Sequence, residues 1–249
     1  MIITSAKNDK IKELRSLSSK KGRKETGLHL IEGERLVLDV LKSGVLPDTV
    51  LVAEWNTTAG YKLSELGIEY VTVTAEVMKA ASDTDSPQGV LAAVKTPDST
   101  PPEVYPEGLI VALDRIQDPG NLGTVLRTAD AFGAAGLLVG EGSVDPFMPK
   151  AVRAAMGSTY HIPVWQGDLQ TELPRLKAQG FGLVCGHLAG EEKLPELPEK
   201  RVIVIGNEAN GASPEVAGEC FLYRLPMKGR AESLNAAVAA AILIYKLSE

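Results

Sequence analysis

Short apolar segments alternate with helical patterns through residues 107–249, and this alternation limits the folds open to the chain. The segments 109–113 (LIVAL) and 201–206 (RVIVIG) are rich in branched apolar residues, as in strands buried on both faces. A helical pattern at 123–136 follows the first, and another at 232–248 ends the chain. The alternation predicts an α/β fold with a parallel sheet covered by helices. Ligands of such sheets bind at the carboxyl ends of the strands, so the residues after each strand are candidates for function. The further elements expected here are strands at 137–140, 160–165, 181–186 and 221–227 and helices at 149–158 and 169–180, the last broken at Pro174.

A proline-rich stretch precedes this part of the chain. Residues 96–106 (TPDSTPPEVYP) contain four prolines, which exclude a helix or a central strand. We therefore predict a linker at 96–106 between domains at 1–95 and 107–249. The first domain alternates as well, with strands expected at 27–33, 49–55, 68–74 and 89–95 and helices at 34–44 and 75–82. This pattern predicts a smaller α/β domain.

The composition is that of an ordinary globular protein, with 44% hydrophobic and 23% charged residues among 249. The chain has only two cysteines, Cys185 and Cys220, so no disulfide framework is expected. The N-terminal sequence has no apolar segment typical of a signal peptide. The longest apolar run, Ala236–Tyr245, is shorter than the ~18 residues of a membrane span. We therefore expect a cytoplasmic protein.

Several common sites have no counterpart in the sequence. It lacks the GxxxxGK[ST] phosphate loop, the HExxH metal motif and any cysteine–histidine cluster with zinc spacing, so we expect no metal. No GxGxxG follows the first strand of either domain, which disfavours an NAD-binding enzyme.

Three segments that follow predicted strands are rich in polar residues and glycine. The first runs from Asp114 to Arg127 and contains Asn121, which could cap a helix. The second is 206–211 (GNEANG), where glycines allow a ligand to approach the backbone. The third, 225–235 (LPMKGRAESLN), ends at the predicted final helix, with Ser233 as a candidate cap. Because the carboxyl ends of parallel strands meet at one edge, we expect the three segments to lie together.

Taken in order, these segments read NxGxxxRxADAFG, IGNExxG and LPMxGxxxSLN. The set resembles the three motifs of the SpoU/TrmH-type RNA ribose 2′-O-methyltransferases of the SPOUT superfamily. Residues 152–164 (VRAAMGSTYHIPV) are similar to the segment that joins the first two motifs. Residues 30–44 and 86–94 resemble the family's N-terminal L30e-like substrate-binding domain, so the resemblance covers nearly the whole chain. The chain departs from the family's usual residues at Ala236, Ala237 and Met156.

The resemblance implies a fold, a cofactor and an oligomeric state. The fold is a parallel sheet with a deep trefoil knot, here at about 202–240, which is a rare exception to unthreaded chains. The cofactor is S-adenosylmethionine, held mainly by backbone groups of the loops after the strands. The residues implied to contact it are Gly186, His187, Leu188, Gly206, Leu225, Met227 and Leu234. The family works as a homodimer through the knotted domain, with the final helix and the first motif at the interface.

The implied reaction is methyl transfer to a ribose 2′-hydroxyl of RNA, with ribosomal RNA favoured over transfer RNA. The implied catalytic residues are Asn121, Arg127, Glu208, Ser233 and Asn235. A guanidinium has no acceptor lone pair, so we expect Arg127 to grip a phosphate and stabilise the developing alkoxide. Asn121, Ser233 and Asn235 would orient the ribose. Glu208 would fix Asn121 or Arg127, or would help to accept the proton.

Basic residues mark the candidate RNA contacts, although the net charge of the chain is −6. Residues 1–24 contain eight lysines and arginines and only two acidic residues. Such a run is typical of a solvated helix face, and it can also track phosphates. The predicted RNA-binding residues are Lys20, Lys21, Arg23, Lys24 and Arg153, with Lys150, Lys228 and Arg230 as further candidates.

Two alternatives stay open beside ribose methylation. One is a SPOUT enzyme that methylates a base of RNA, which nucleoside analysis would distinguish. The other is an RNA-binding assembly factor that keeps the fold without catalysis, which a turnover measurement would distinguish.

Overall fold

The computed structural model describes residues 2–248, and their contacts divide the chain into two units. The first unit takes in the chain up to Pro97 together with Phe147–Gly157. The second contains Asp98–Pro146 and the chain from Ser158 onward. The boundary at Pro97 falls inside the predicted linker. The membership of Phe147–Gly157 in the first unit is a placement that the sequence pattern did not indicate.

The first unit is built on a five-stranded mixed sheet with the order β1-β4-β3-β5-β2. Its elements are β1 (Ile2–Ile3), α1 (Asp9–Ser16), α2 (Lys20–Thr26), β2 (Leu28–Glu32), α3 (Glu34–Lys42), β3 (Pro47–Ala53), α4 (Thr57–Glu65), β4 (Val71–Val73), α5 (Ala75–Ala81) and β5 (Val90–Lys95). Strand β5 is antiparallel to both β2 and β3, while β1 and β3 are parallel to β4. Strands β2 and β3 therefore end at the same edge of the sheet, where β5 begins.

Alternate strand residues and one face of each helix form the core of the first unit. Leu30, Leu51 and Leu91 of the strands pack with Ile11 of α1 and Met78 of α5, and all five are at least 98% buried. Helix α4 is not predicted by the sequence pattern, and for α1 and α2 the basic run in residues 1–24 indicates only a solvated helix face without bounds. Each begins at a side chain that caps its amides, namely Asn8, Ser19 and Asn56.

The second unit is built on a six-stranded sheet with the order β11-β9-β10-β6-β7-β8. The remaining elements are β6 (Leu109–Leu113), α6 (Pro119–Ala131), β7 (Gly136–Gly140), α7 (Pro149–Ala155, in the first unit), β8 (Val164–Gly167), α8 (Leu169–Ala178), β9 (Gly182–Glu191), β10 (Arg201–Ile205), α9 (Pro214–Gly218), β11 (Phe221–Tyr223) and α10 (Ala236–Ser248). All five strand pairs are parallel, which confirms the predicted parallel sheet. The central strands β6 and β10 are buried along almost their whole length, as their apolar sequences predict.

Several predicted elements of the second unit differ in the structure. Strand β9 continues to Glu191, β11 ends at Tyr223 and α10 begins only at Ala236. Helix α8 continues through Pro174, so the prediction of a break there is wrong. Proline removes one backbone hydrogen bond, and Pro174 is exposed, where water can satisfy the carbonyl left without a partner. The strand predicted at 160–165 is a single 3-10 turn at Ser158–Tyr160 followed by β8, which begins only at Val164.

The end of the proline-rich stretch is fixed to the second unit. Tyr105 is buried, and its hydroxyl donates a 2.7 Å hydrogen bond to Glu172 of α8. Arg175 donates to the same carboxylate oxygen at 2.6 Å and to the carbonyl of Pro102 at 2.9 Å. Part of the predicted linker is therefore an ordered segment of the second unit.

Candidate functional site

A cavity of about 440 Å³ opens at the carboxyl edge of the second sheet. Strand β9, the loops after β10 and β11 and the first half of α10 form its walls. Gly186, His187 and Leu188 lie within β9, so the prediction that they belong to a loop after a strand is wrong. All seven residues predicted to hold the cofactor line it, namely Gly186, His187, Leu188, Gly206, Leu225, Met227 and Leu234. Two of the predicted catalytic residues, Glu208 and Ser233, line it as well. The second and third segments of the sequence analysis therefore meet around one cavity.

The walls combine apolar side chains with exposed backbone and a few polar groups. Leu188, Leu225 and Met227 supply apolar surface, and Gly186 of β9 and Gly206 of the loop after β10 line the cavity without side chains. His187 accepts a 3.1 Å hydrogen bond from the Ala189 amide through Nδ1. This mixture fits a nucleoside with an amino-acid tail, whose base needs apolar walls and whose polar groups need backbone partners.

The loop after β10 is closed by a tight backbone bridge. Asn207 and Gly211 exchange two backbone hydrogen bonds, of 3.0 and 2.9 Å. A side-chain carbon at Gly206 would collide with the backbone of Gly211 and Ala212. Glycine is therefore required at position 206 by the close approach of two chain segments.

Glu208 connects this loop to the beginning of α6. Its Oε1 accepts hydrogen bonds from Asn121 Nδ2 at 2.9 Å and from the Asp118 amide at 3.4 Å. Its Oε2 accepts from the Gln117 amide at 3.3 Å. Asn235 Nδ2 donates to Asn121 Oδ1 at 3.1 Å. The first segment thus joins the other two through a chain of hydrogen bonds that runs from Glu208 through Asn121 to Asn235.

The predicted capping residues of α6 and α10, the two helices that the chain of hydrogen bonds connects, are wrong. Asp118, not Asn121, caps α6, since its carboxylate accepts from the Asn121 amide at 2.8 Å. Asn235, not Ser233, caps α10, because its Oδ1 accepts from the Ala237 amide at 2.9 Å. Both asparagine side chains consequently take part in the hydrogen-bonded chain with their amide groups in fixed orientations.

The pKa of Glu208 lies below its ordinary value. Partial burial acts to raise the pKa, but it is outweighed by hydrogen bonds from Asn121 and from the backbone amides of Gln117 and Asp118. Hydrogen bonds to a carboxylate favour its ionised form. Glu208 is therefore an anion at neutral pH whose acceptor positions are largely occupied, so it is better suited to hold Asn121 than to accept a proton.

Residues that the sequence analysis did not single out complete the support of the site. Asp114 is buried at the end of β6 and accepts from the Ser213 amide at 2.6 Å. Asn207 Nδ2 donates to the Arg115 carbonyl at 2.7 Å. Arg115 has a φ of 56°, which is rare for a residue with a side chain. These contacts lock the loop after β6 against the loop after β10. The one sequence signal for Asp114, Arg115 and Asn207 is that each comes shortly after a strand.

Arg127 is not among the residues that line the cavity. It lies nearly two turns after Asn121 on α6, is exposed, and has no hydrogen-bond or ion-pair partner within residues 2–248. Helix α10 packs against α6 and leaves Val238, Ile242 and Tyr245 between 43 and 55% exposed. The Tyr245 ring lies 5.6 Å from that of Phe132, which is also exposed. Arg127 and this apolar strip thus belong to two packed helices.

The predicted RNA-binding residues divide into two groups in the first unit. Lys20, Lys21 and Lys24 are exposed on α2. Arg23 is buried and donates to the carbonyls of Leu17 and Ser18 at 2.8 and 3.0 Å. Arg153 of α7 binds Asp83 at 3.1 Å and lies 3.7 Å from Glu32. Both arginines are thus engaged in contacts within the first unit, Arg23 with backbone carbonyls and Arg153 with carboxylates.

Within the described part of the chain, there is no group of three or more histidine, cysteine, aspartate or glutamate side chains that could hold a metal ion. No helix among residues 2–248 is long and apolar enough to cross a membrane.

Comparison with protein families gives two matches that together cover most of the chain. Residues 108–245 match the SpoU rRNA Methylase family. Residues 8–92 match the MRM3-like substrate binding domain. A relative from Bacillus subtilis, the 23S rRNA (guanosine(2553)-2′-O)-methyltransferase RlmP, is 37% identical over 98% of both chains.

Solved structures agree with these matches. The AdoMet-bound rRNA methyltransferase from Sinorhizobium meliloti superposes with a TM-score of 0.86 at 34% identity, covering 99% of this chain and 97% of its own. The SpoU methyltransferase AviRb from Streptomyces viridochromogenes, in complex with AdoMet, gives 0.84 at 26% identity, covering 97% of each chain. The resemblance drawn from the three motifs is confirmed, and the chain belongs to the SpoU rRNA methylase family.

Proposed function

We propose that this protein transfers a methyl group from S-adenosylmethionine to a ribose 2′-hydroxyl of ribosomal RNA. The observation that carries the proposal is the meeting of three separate segments at one sheet edge, with a cavity beside the chain of hydrogen bonds from Glu208 to Asn235. The relative from Bacillus subtilis and the AdoMet-bound structures support the same reaction and cofactor. The trefoil knot at about 202–240 stays a prediction of the family resemblance.

The cofactor, when bound, supplies a methyl group on a positively charged sulfur. The cavity would hold it by the backbone at Gly186 and Gly206 and by the apolar side chains Leu188, Leu225 and Met227. Ser233 at the rim and the fixed amides of Asn121 and Asn235 would orient the ribose of the substrate. Orientation of this kind lowers the barrier because the reacting atoms are held in position before reaction.

In the transfer, the ribose oxygen would bond to the methyl carbon as the carbon–sulfur bond of the cofactor breaks, and the hydroxyl proton would pass to solvent water. Glu208 is a positioning residue in this scheme, since its carboxylate already accepts hydrogen bonds from Asn121 and two backbone amides. Arg127 would bind the phosphate next to the target ribose and stabilise the charge that develops on the oxygen. A guanidinium has no acceptor lone pair, so Arg127 does not take the proton itself.

We propose in addition that the active site is completed by a second copy of the chain. Arg127 does not line the cavity of its own subunit, and it lies on the helix that packs against α10. The strip formed by Val238, Ile242 and Tyr245 is apolar and exposed, as expected of a dimer interface. A partner that covered this strip would present its own Arg127 close to the rim of the cavity.

The first experiment uses tritiated S-adenosylmethionine with purified protein and unmodified ribosomal or transfer RNA in separate reactions. Digestion to nucleosides and mass spectrometry then identify the labelled product. We expect a 2′-O-methyl nucleoside from ribosomal RNA. Label on a base would overturn the proposed target atom, and absence of label despite cofactor binding, with assembled ribosomal particles also tested, would support the noncatalytic alternative.

The composite site is tested by mixing two inactive variants, Arg127→Ala and Gly206→Ala, after separate purification and exchange of subunits. If Arg127 acts on the partner's cavity, a mixed dimer contains one intact site and activity reappears. Failure of the mixture to recover activity, with mixed dimers shown by native mass spectrometry, would contradict the composite site.

A further inference from the structure

An exposed tryptophan stands at the carboxyl edge of the first sheet. Trp55 is the second residue after β3 and is 55% exposed, whereas Trp165, the other tryptophan of the chain, is only 7% exposed. Trp55 therefore offers an open aromatic surface, whereas the ring of Trp165 is packed in the core of the second unit.

The Trp55 ring is held in place by the backbone next to it. An added side-chain carbon at Gly89 would lie 2.5 Å from the ring, so the indole rests directly on this glycine. Gly89 has a φ of 80° and its carbonyl accepts from the Ala53 amide at 2.8 Å. Asn56 Nδ2 donates to the Gln88 carbonyl at 3.1 Å. One face of the ring is thus covered by Gly89, and the ring keeps a substantial solvent-exposed surface.

The side chain of Gln88 lies at the same edge. Its Oε1 is 2.7 Å from the position that a side-chain carbon on Gly33 would take, so it lies over the glycine that follows β2. Gln88 is exposed, and its amide can both donate and accept hydrogen bonds. An aromatic ring beside such an amide can stack on a base and bond to the edge of that base.

Several charged residues at this edge are paired with one another. Glu34 binds Lys62 at 2.6 Å. Arg153 binds Asp83 at 3.1 Å and lies 3.7 Å from Glu32. Paired charges offer little attraction to phosphates, so stacking is the chemistry that the edge offers a nucleic acid.

We propose that Trp55 is a stacking platform for an unpaired base of the RNA substrate. The inference rests on the proposed function, because it takes the substrate to be RNA. The predicted phosphate contacts Lys20, Lys21 and Lys24 lie on α2, which leads into the amino end of β2. Trp55 follows the carboxyl end of β3, which points in the same direction as β2. Bases and phosphates would therefore be bound by different segments of the first unit.

The test uses intrinsic fluorescence and a short oligoadenylate as the probe. Stacking on Trp55 should quench the emission of the wild-type protein. The quenching should vanish in Trp55→Phe, where only the buried Trp165 emits. Trp55→Ala should bind the oligoadenylate about ten-fold more weakly, within the range for loss of one stacked base. Tyr61→Ala removes an aromatic side chain that is 66% exposed on α4, and it should leave binding unchanged.

Salt dependence distinguishes stacking from phosphate binding. The loss caused by Trp55→Ala should be the same at low and high salt, because no counterions are released by a base contact. Wild-type affinity in Trp55→Ala, or quenching that survives in Trp55→Phe, would overturn the proposal. An equal loss in Tyr61→Ala would also overturn it. So would a Trp55→Ala variant that keeps its RNA affinity but no longer binds a protein that the wild type binds. Circular dichroism and the melting temperature show whether each variant is folded.

A kinetic assay of methyl transfer to ribosomal RNA distinguishes failure of the stacking platform from failure of the proposed function. We expect Trp55→Ala to raise KM for RNA and to leave kcat unchanged at saturating RNA. Normal KM with active transfer would refute the stacking platform alone. Oligoadenylate binding that depends on Trp55, in a protein without any methyl transfer, would refute the proposed function and leave the platform in place.

Discussion

The carboxyl edges of the two sheets present different surfaces. At the edge of the second sheet, loops from distant parts of the sequence are joined by hydrogen bonds, and Glu208 alone accepts three of them. At the edge of the first sheet, charged side chains pair with one another and Trp55 stands exposed on Gly89. The same type of sheet edge therefore carries a fixed array of polar groups in one unit and a flat aromatic surface in the other.

The difference follows from what each edge is proposed to do. A group-transfer reaction needs polar groups held in fixed directions before the substrate arrives, and these require a second layer of partners. Binding of an unpaired base needs one rigid ring and open space. Substitutions in the second unit should therefore affect catalysis or cofactor binding, whereas substitutions in the first unit should affect RNA affinity.

The largest effect is expected from Gly206→Ala. The added methyl group collides with the backbone of Gly211 and Ala212, so the loop after β10 must move. We expect a loss of about 3 kcal/mol of stability or more, by analogy with overpacked cores, and loss of cofactor binding. Scanning calorimetry measures the stability, and titration calorimetry measures the binding of the cofactor. Gly229→Ala is the matched control, because Gly229 has open space around its α-carbon, and it should melt as the wild type does. Normal cofactor binding by Gly206→Ala would contradict this account of the loop.

Arg127→Ala should reduce kcat by about 10²- to 10³-fold, as loss of one group that stabilises developing charge does. Cofactor affinity should stay unchanged, because Arg127 does not line the cavity. Single-turnover kinetics and titration calorimetry separate the two quantities. Arg201→Ala, at the amino end of β10, is the control for loss of a positive charge. Turnover like that of the wild type would refute the role given to Arg127.

Glu208→Gln should lower kcat by about ten-fold or more, because a displaced Asn121 no longer holds the ribose in position.

The Glu208 carboxylate has a lowered pKa, so its contribution to stability is present above the ordinary value of 4.5 and is lost as the pH falls through the lowered value. In the variant this loss on the acid side should disappear. Melting temperatures measured from neutral pH down to about pH 3 compare the two proteins. Identical acid sensitivity would show that the hydrogen bonds to Glu208 do not contribute to stability.

The smallest effect is expected from replacing Lys20, Lys21 and Lys24 by glutamine. The three lysines are exposed, and their removal should weaken RNA binding for all sequences alike. The slope of log affinity against log salt should fall by about 2 if all three bind phosphates of a single strand. Binding titrations at several salt concentrations measure it. Lys42→Gln with Lys79→Gln, also exposed in the first unit, is the control. An unchanged slope would remove α2 from the RNA contacts.

Much of the fold could be predicted because burial leaves a local pattern. The parallel sheet follows from runs such as Leu109–Leu113, which is fully buried as expected. The bounds of helices α1 and α2 were missed because their sequences are dominated by charged residues, and only a few positions such as Ile11 face the core. The break at Pro174 was wrong because propensity alone cannot show that the proline faces water.

The candidate site was predictable to the extent that its residues follow strands. The three motifs identified the family, and the seven residues expected to hold the cofactor line one cavity. The wrong helix caps at Asn121 and Ser233 show the limit of local reasoning. Several side chains near a helix start can cap it, and the backbone path decides which one does.

The sequence by itself determined most of the alternation of strands and helices, the family and nine of the residues around the cavity, since these depend on local composition and spacing. Only the tertiary structure decided that Glu208 holds Asn121, that Arg23 and Arg153 are engaged inside the fold, and that Trp55 is exposed. Within its apolar segment, Trp55 looked like one more strand residue. Contacts between residues far apart in sequence depend on strand register and loop closure, and no local pattern encodes which partners these bring together.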